Sequence, residues 1–217
     1  MSAREAILAR VRAAAGTGRL PIQRSTTASV QSAIVGQRSA KASAERQEDL
    51  LARFTRELTG LGVDCHVDAT PDAVRARVVE LSSGRTVLSW DPERLPYGVG
   101  ALLESAAGGR DARERQAGAG LGITGCHAAI AETGSLVVLS GPGTPRTASL
   151  LPPVHLCLVR PVDLYATMGE FFRDRAADVA AAACCTFITG PSRTADIELT
   201  LTLGVHGPGR VVAVVGP

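Results

Sequence analysis

Two rhythms of hydrophobic and polar positions run along this chain and predict its elements. From Ser43, the apolar residues Leu50, Leu51, Phe54 and Leu58 recur at helical spacing and Gly60 and Gly62 close the run, which predicts an amphipathic helix. The alternating stretch VDCHV then predicts a strand. Thr70-Pro71 supplies an N-cap and a first-turn proline for a helix through about Leu81. RTVLSW predicts the next strand. Helices alternating with apolar strands in this way indicate an α/β sheet covered on both faces.

The centre of the chain is strand-rich. LGIT, GSLVVLS and VHLCLVR are separated by CHAAIAET and by GPGTPRTASLLPP. ALLESAAGG predicts a short helix, and RDARERQAGAG a loop or helix end. A helix over VDLYATMGEFFRDRAADVAAA, a strand at CTFIT and a last strand at VVAVV complete the pattern.

The N-terminal residues MSAREAILARVRAAAG predict a separate helix, with Ser2 and Glu5 at capping-box spacing and Ile7, Leu8 and Val11 on one stripe. Residues 16–43 are small and polar without a strong period, and predict an arm or linker. The expected organisation is an N-terminal helix and extended arm over 1–42 and an α/β domain over 43–217.

At 217 residues the chain can bury roughly 70% of its unfolded surface, so a large core is available. Apolar residues make up 45% and charged residues 20%, an ordinary globular balance. Aromatics are only 3%, so the core is aliphatic and the stacking platforms of single-stranded nucleic-acid binders are largely missing. The net charge of +2 is dispersed, which argues against a nucleic-acid partner. Of the 23 basic residues only Lys41 is not arginine, which reads as a coding bias toward arginine, although arginine also suits planar anions where one sits in a cleft.

No stretch has the ~18 apolar residues of a membrane span, and the first residues do not read as a signal peptide. A cytoplasmic location is expected. Five cysteines, an odd number, point to free thiols, and with no Cys-x-x-Cys spacing no metal site or cofactor is expected in this chain itself. Cys65 and Cys157 lie in apolar alternations as buried thiols. His66 and His155 lie in strand patterns as structural residues, and Cys126-His127 has no third group that the sequence identifies.

Three polar clusters fall where strands meet loops, the usual place for ligands in open α/β sheets. In GCHAAIAETGS, Glu132 precedes Thr133, Gly134 and Ser135, so a carboxylate, two hydroxyls and flexible backbone donors share one turn. That grouping can position an anion, with Glu132 as base or nucleophile; a capped turn joining a helix to a strand has the same spacing. In GPGTPRTASLLPP, Arg146 with Thr147 and Ser149 can hold a phosphate or carboxylate, or form a solvated loop. In GPSRTADIELTLTLGVHGPGR, Ser192, Arg193 and Thr194 follow a Gly-Pro turn and form an anion site if a helix starts there. Asp196 and Glu198 share a face if the segment is a strand. His206 precedes Gly-Pro-Gly, whose stiff backbone can aim its ring. The candidate catalytic residues are Glu132, Asp196 and His206; the candidate ligand-binding residues are Thr133, Gly134, Ser135, Arg146, Ser192, Arg193 and Thr194.

GITGCHAAIAETGSLVVLS, PRTASLLPPVHLCLV and GPSRTADIELTLTLGVHGPGRVVAVV together resemble, in order and spacing over about residues 119–215, the LUD-domain family and its lactate utilization C branch. The resemblance implies a three-layer α/β/α sandwich of the kind shared by glucosamine-6-phosphate deaminases, ribose-5-phosphate isomerases and CoA transferases, carrying the N-terminal helical extension. It also implies a role in oxidising L-lactate to pyruvate as a component of an L-lactate dehydrogenase complex, beside iron-sulfur lactate-utilization proteins that hold the clusters. Where the family usually has aspartate in the Ala-Ile-Ala-acid turn, this chain has Glu132. A small anionic ligand is the expected partner of the site. Two other functions fit the same residues: an independent acyl or CoA transfer with Glu132 as nucleophile, and a scaffold without chemistry that docks a partner through its N-terminal arm.

Overall fold

The structure is a computed structural model that describes Glu5, Ala9 and residues 40–103, 106–109, 111–195 and 201–217. Asp196, Glu198 and most of the N-terminal helix and arm lie outside the described residues.

The amphipathic run forms α1 (Ala40–Gly60), starting three residues ahead of Ser43. It leads into β1 (Asp64–Val67) and α2 (Pro71–Ser82), whose N-cap Thr70 accepts from Ala73 N through its side chain. Then come β2 (Val87–Ser89), a 3-10 stretch (Pro96–Leu102), α3 (Arg113–Ala117), β3 (Leu121–Gly125), β4 (Ala128–Ile130) and β5 (Ser135–Ser140). The chain continues through a 3-10 turn (Arg146–Ser149), β6 (Val154–Val159), β7 (Leu164–Tyr165), α4 (Met168–Asp174), α5 (Ala176–Ala181), β8 (Cys184–Ile188), β9 (Arg193–Ala195), β10 (Leu201–Leu203) and β11 (Arg210–Val215).

The central sheet has five strands in the order β1-β11-β6-β3-β2, every pair parallel. Strands buried on both faces read as continuous aliphatic runs, which is why RVVAVV and VHLCLV show no polar alternation. One face, with Ile123, Leu156, Leu158, Val212 and Val214, packs on Val74 and Val78 of α2. The other, with Cys157, Val159, Val211, Ala213 and Val215, packs on Phe54 and Leu58 of α1. Helix, parallel sheet and helix make the three-layer α/β/α arrangement.

A second sheet of four strands, β7-β4-β5-β8, shares the α1 side through Ala129, Ala131 and Leu136. Its other face packs Ile130, Val137 and Leu139 on Phe171 of α4. No helix among the described residues is long and apolar enough to cross a membrane.

Several elements differ from the sequence pattern. Ala128–Ile130 is a strand paired antiparallel with β5, so Glu132 sits in a hairpin turn and not between a helix and a strand. The single helix expected over 162–182 divides into β7, α4 and α5, because Leu164 and Tyr165 pair with Ala129 and Ile130 and Thr167 caps a new helix start. The helix expected over 101–109 is not formed by the described residues there: Leu102 ends the 3-10 stretch, and Ala107 bridges Leu88. No helix begins at Ser192, since Arg193–Ala195 pairs antiparallel with Leu201–Leu203. The helix N-terminus that would have made an anion site there is replaced by a ladder that uses the same backbone groups on each other.

Candidate functional site at the carboxyl edge of the parallel sheet

All five central strands point the same way, so the segments leaving them converge on one edge. Trp90 follows β2, Cys126 and His127 follow β3, and Arg160 follows β6. With Glu93, Arg94, Thr144, Asp163 and Arg175 they line a cavity of about 290 Å³. This is the crevice outside the strand carboxyl ends where open α/β sheets take ligands.

Arg160 is held in a two-bond fork by Asp163, Nε to Oδ2 at 2.7 Å and Nη2 to Oδ1 at 2.9 Å. That pairing raises the guanidinium pKa and keeps the buried Asp163 satisfied. Arg175 donates from Nη2 to the His127 carbonyl at 3.2 Å and pairs through Nη1 with Asp178 at 3.0 Å. Arg94 differs from both: it is exposed at the mouth, and among the described residues no ion pair or hydrogen bond occupies its guanidinium. It is the cation left for a ligand. Glu93 is exposed on the same rim.

His127 packs against Trp90 with ring centres 5.2 Å apart, and its Nδ1 accepts from Leu139 N at 3.1 Å. A neutral imidazole accepting at Nδ1 carries its proton on Nε2, so the ring is a donor there. Burial and then the Arg175 charge lower its pKa. Protonating Nδ1 would also set two donors against each other, so the neutral form is favoured. Cys126 is held well above an ordinary thiol, first by its hydrogen bond with Cys157 and then by burial, which makes it a poor nucleophile. Tyr97 donates from its hydroxyl to Val159 O at 2.8 Å, and burial pushes its pKa up to about 12. Its ring occupies the space beside Gly216, where a Cβ would lie 2.4 Å from the Tyr97 ring carbon Cζ.

The residues singled out from sequence lie elsewhere. Glu132 accepts from Met168 N at 2.8 Å, placing its carboxylate at the first turn of α4, where it satisfies a free N–H and meets the positive end of the helix. Thr133 and Ser135 are joined at 2.8 Å, and Ser135 to Thr189 at 2.7 Å, a chain of hydroxyls occupied with one another. Gly134 has φ +61°, and a Cβ there would lie 2.8 Å from Leu58 N, so glycine lets the turn close on α1.

Arg193 donates to Leu61 O at 2.5 Å, and Gly190 packs on Leu61. Ser192 N donates to Pro208 O and Ser192 O accepts from Gly204 N, both at 2.9 Å, which ties it to the exposed His206 turn. Thr194 pairs with Thr202 in the β9–β10 ladder. The first and third clusters therefore meet around the end of α1, at the amino edge of the parallel sheet. Arg146 is apart from them and lines a different cavity, of about 550 Å³, with Asp111, Arg113 and Gln116.

Sequence reasoning set His127 aside and missed Arg94, Arg160 and Arg175. A usable signal was present: the residues immediately after RTVLSW, LGIT and VHLCLV are the ones a parallel sheet brings together. All five cysteines are free, and among the described residues no group of three or more His, Cys, Asp or Glu side chains could hold a metal ion.

Comparison with known proteins adds to this geometry. The family model described as the LUD domain matches residues 28–215. The chain is 34% identical over 150 residues to a lactate utilization protein C of Halalkalibacterium halodurans, covering 64% of this chain and 65% of that protein. It is 33% identical over 178 residues to a lactate utilization protein C of Exiguobacterium, with 76% of each covered. The matched region spans just under two thirds of the length of the Halalkalibacterium protein. A crystal structure of a DUF162 family protein from Deinococcus radiodurans superposes with a TM-score of 0.63 at 23% identity, over 79% of this chain and 98% of that one, and shows the shared fold.

Proposed function

The chain belongs to the LUD domain family, and from that premise we propose that it serves lactate utilization, binding a small carboxylate at the carboxyl edge of its parallel sheet. It works in a cytoplasmic system that oxidises L-lactate to pyruvate, beside partner proteins that carry the iron-sulfur clusters. The names of the relatives and the sequence resemblance support the pathway; the cavity supports the ligand.

The observation that carries the ligand assignment is the unoccupied guanidinium of Arg94 beside a neutral, donating His127 in one cavity. A 2-hydroxy carboxylate presents two acceptor oxygens to the guanidinium fork, an arrangement lysine cannot match. His127 supplies an Nε2 proton to an oxygen of the ligand, and Glu93 accepts from its hydroxyl. With its Nδ1 lone pair engaged by Leu139 N–H, His127 polarises and does not deprotonate.

The test is thermal unfolding of the chain with lactate and pyruvate, beside Arg94→Ala. A ligand at 100 times its dissociation constant stabilises by ~2.7 kcal/mol, and the variant loses that shift. No shift in the wild-type chain removes the ligand assignment. Purified iron-sulfur partners that oxidise lactate equally well without this chain would remove the pathway role.

A further inference from the structure

Helix α1 buries one stripe and leaves another open. Phe54 and Leu58 turn into the core, whereas Glu48, Ala52, Arg56 and Thr59 recur every three or four residues and are exposed. With Leu51 and Val67, the last residue of β1, they line a groove of about 620 Å³. Val67 is 53% exposed there. The opposite edge of the same sheet is closed, since Ala107 N donates to Val87 O and Ser89 N donates to Ala107 O. β1 pairs with β11 alone among the described residues. Leu51, Ala52 and Val67 beside that open edge form apolar surface that association would remove from water.

The charges along α1 say what fits the groove. Glu48 and Asp49 precede Ala52 by four and three residues, and Arg56 follows it by four, all exposed. Each therefore stands about 4–6 Å from Ala52 along the helix axis. A second α1 running antiparallel and crossing at Ala52 brings its Arg56 level with Glu48 and Asp49, and the same match occurs again on the other side of the crossing. A parallel copy in register sets acid level with acid and arginine level with arginine. Such self-complementarity is what a twofold axis requires of a surface. Ala52, at the crossing, has no atom beyond Cβ to hold the helices apart. Arg56 pairs with Glu57 at 3.2 Å, an exposed neighbour contact that costs little to exchange.

We infer that this face is the interface of a symmetric dimer of the chain, with α1 packed antiparallel on the partner's α1 about Ala52. The apolar centre is Leu51, Ala52 and Val67, and the acids and Arg56 form the polar rim. The interface is independent of the carboxylate site.

The experiment is sedimentation velocity of the full chain over a range of concentrations, beside Ala52→Glu, Asp49→Arg, Arg56→Asp and the double variant Asp49→Arg/Arg56→Asp. The wild-type chain should dimerise, more weakly as salt is raised. Ala52→Glu, which sets two carboxylates at the crossing, and each single charge reversal should raise the dimer dissociation constant by about tenfold or more; the double variant should recover most of that loss. Far-UV circular dichroism melts of the variants, all at exposed helix positions, should stay close to wild type.

A wild-type chain that stays monomeric at every concentration gives the groove to another occupant and overturns the inference. A dimer indifferent to Ala52→Glu and to both reversals has its interface elsewhere, which also overturns it. Single reversals that weaken the dimer without recovery in the double variant overturn the antiparallel crossing. If Ala52→Glu does not fold, the reversals and their recovery decide alone.

Discussion

The two edges of the parallel sheet are built from similar residues in opposite states. At the amino edge, Arg193, Ser192, Thr133 and Ser135 spend their polar groups on Leu61 O, on Pro208 and Gly204, and on one another. At the carboxyl edge, Arg94 and the buried Ser140 Oγ have no partner among the described residues, and the neutral His127 has an Nε2 proton to give. A polar cluster seen in sequence is thus equally compatible with closing a fold and with opening a site. What separates the two is where each donor and acceptor is already bonded.

The largest effect expected concerns His155, the second residue of β6, which is fully buried with its Nε2 and Thr124 Oγ1 2.9 Å apart. Burial lowers its pKa to about 4 from 6.5. A depressed histidine favours the neutral form in the fold, so its contribution is whole above the unfolded value and is lost as pH falls from about 6.5 towards 4. That loss amounts to about 3 kcal/mol. Chemical denaturation at a series of pH values should show it, and His155→Leu should flatten the slope; an unchanged slope would remove the assignment.

Next in size is the contrast between the two arginines. Arg94→Ala should abolish the ~2.7 kcal/mol ligand-induced stabilisation expected at saturating lactate or pyruvate, and Arg193→Ala should keep it. The reverse pattern in thermal unfolding would move the ligand to the amino edge.

Glycine substitutions divide the edges again. Gly216→Ala drives a methyl into the Tyr97 ring and should cost about 1–3 kcal/mol, whereas Gly207→Ala meets Ser192 Cβ at an ordinary 3.5 Å and should stay within ~0.5 kcal/mol. Equal melting temperatures for the two variants would contradict the packing described. Smaller still, Glu132→Gln removes the charge at the first turn of α4 and should cost about 0.5–1 kcal/mol in denaturant titration. His206→Ala, at an exposed turn, should lie within ~0.5 kcal/mol of wild type.

Much of the fold was legible in the sequence. Helical spacing located α1, the Thr70-Pro71 pair located α2, and uninterrupted Val and Leu runs marked strands covered on both faces. Local pattern failed at AAIA, where alanines suited to a helix form a strand because β5 and β7 flank them. It failed again over 162–182, where Leu164 and Tyr165 gain more from the sheet edge than from continuing a helix. In each case the deciding partner lies far along the chain.

The same reason separates the two edges. Spacing alone determined that this chain makes an α/β sandwich with polar turns at its strand ends, because periodicity and turn chemistry are local. Only the tertiary structure decided that Glu132 caps a helix, that Arg193 serves a backbone carbonyl and that Arg94 and His127 face a cavity together. Those assignments depend on which strands run side by side and on which partners reach each polar atom first, and both are set by packing between distant segments.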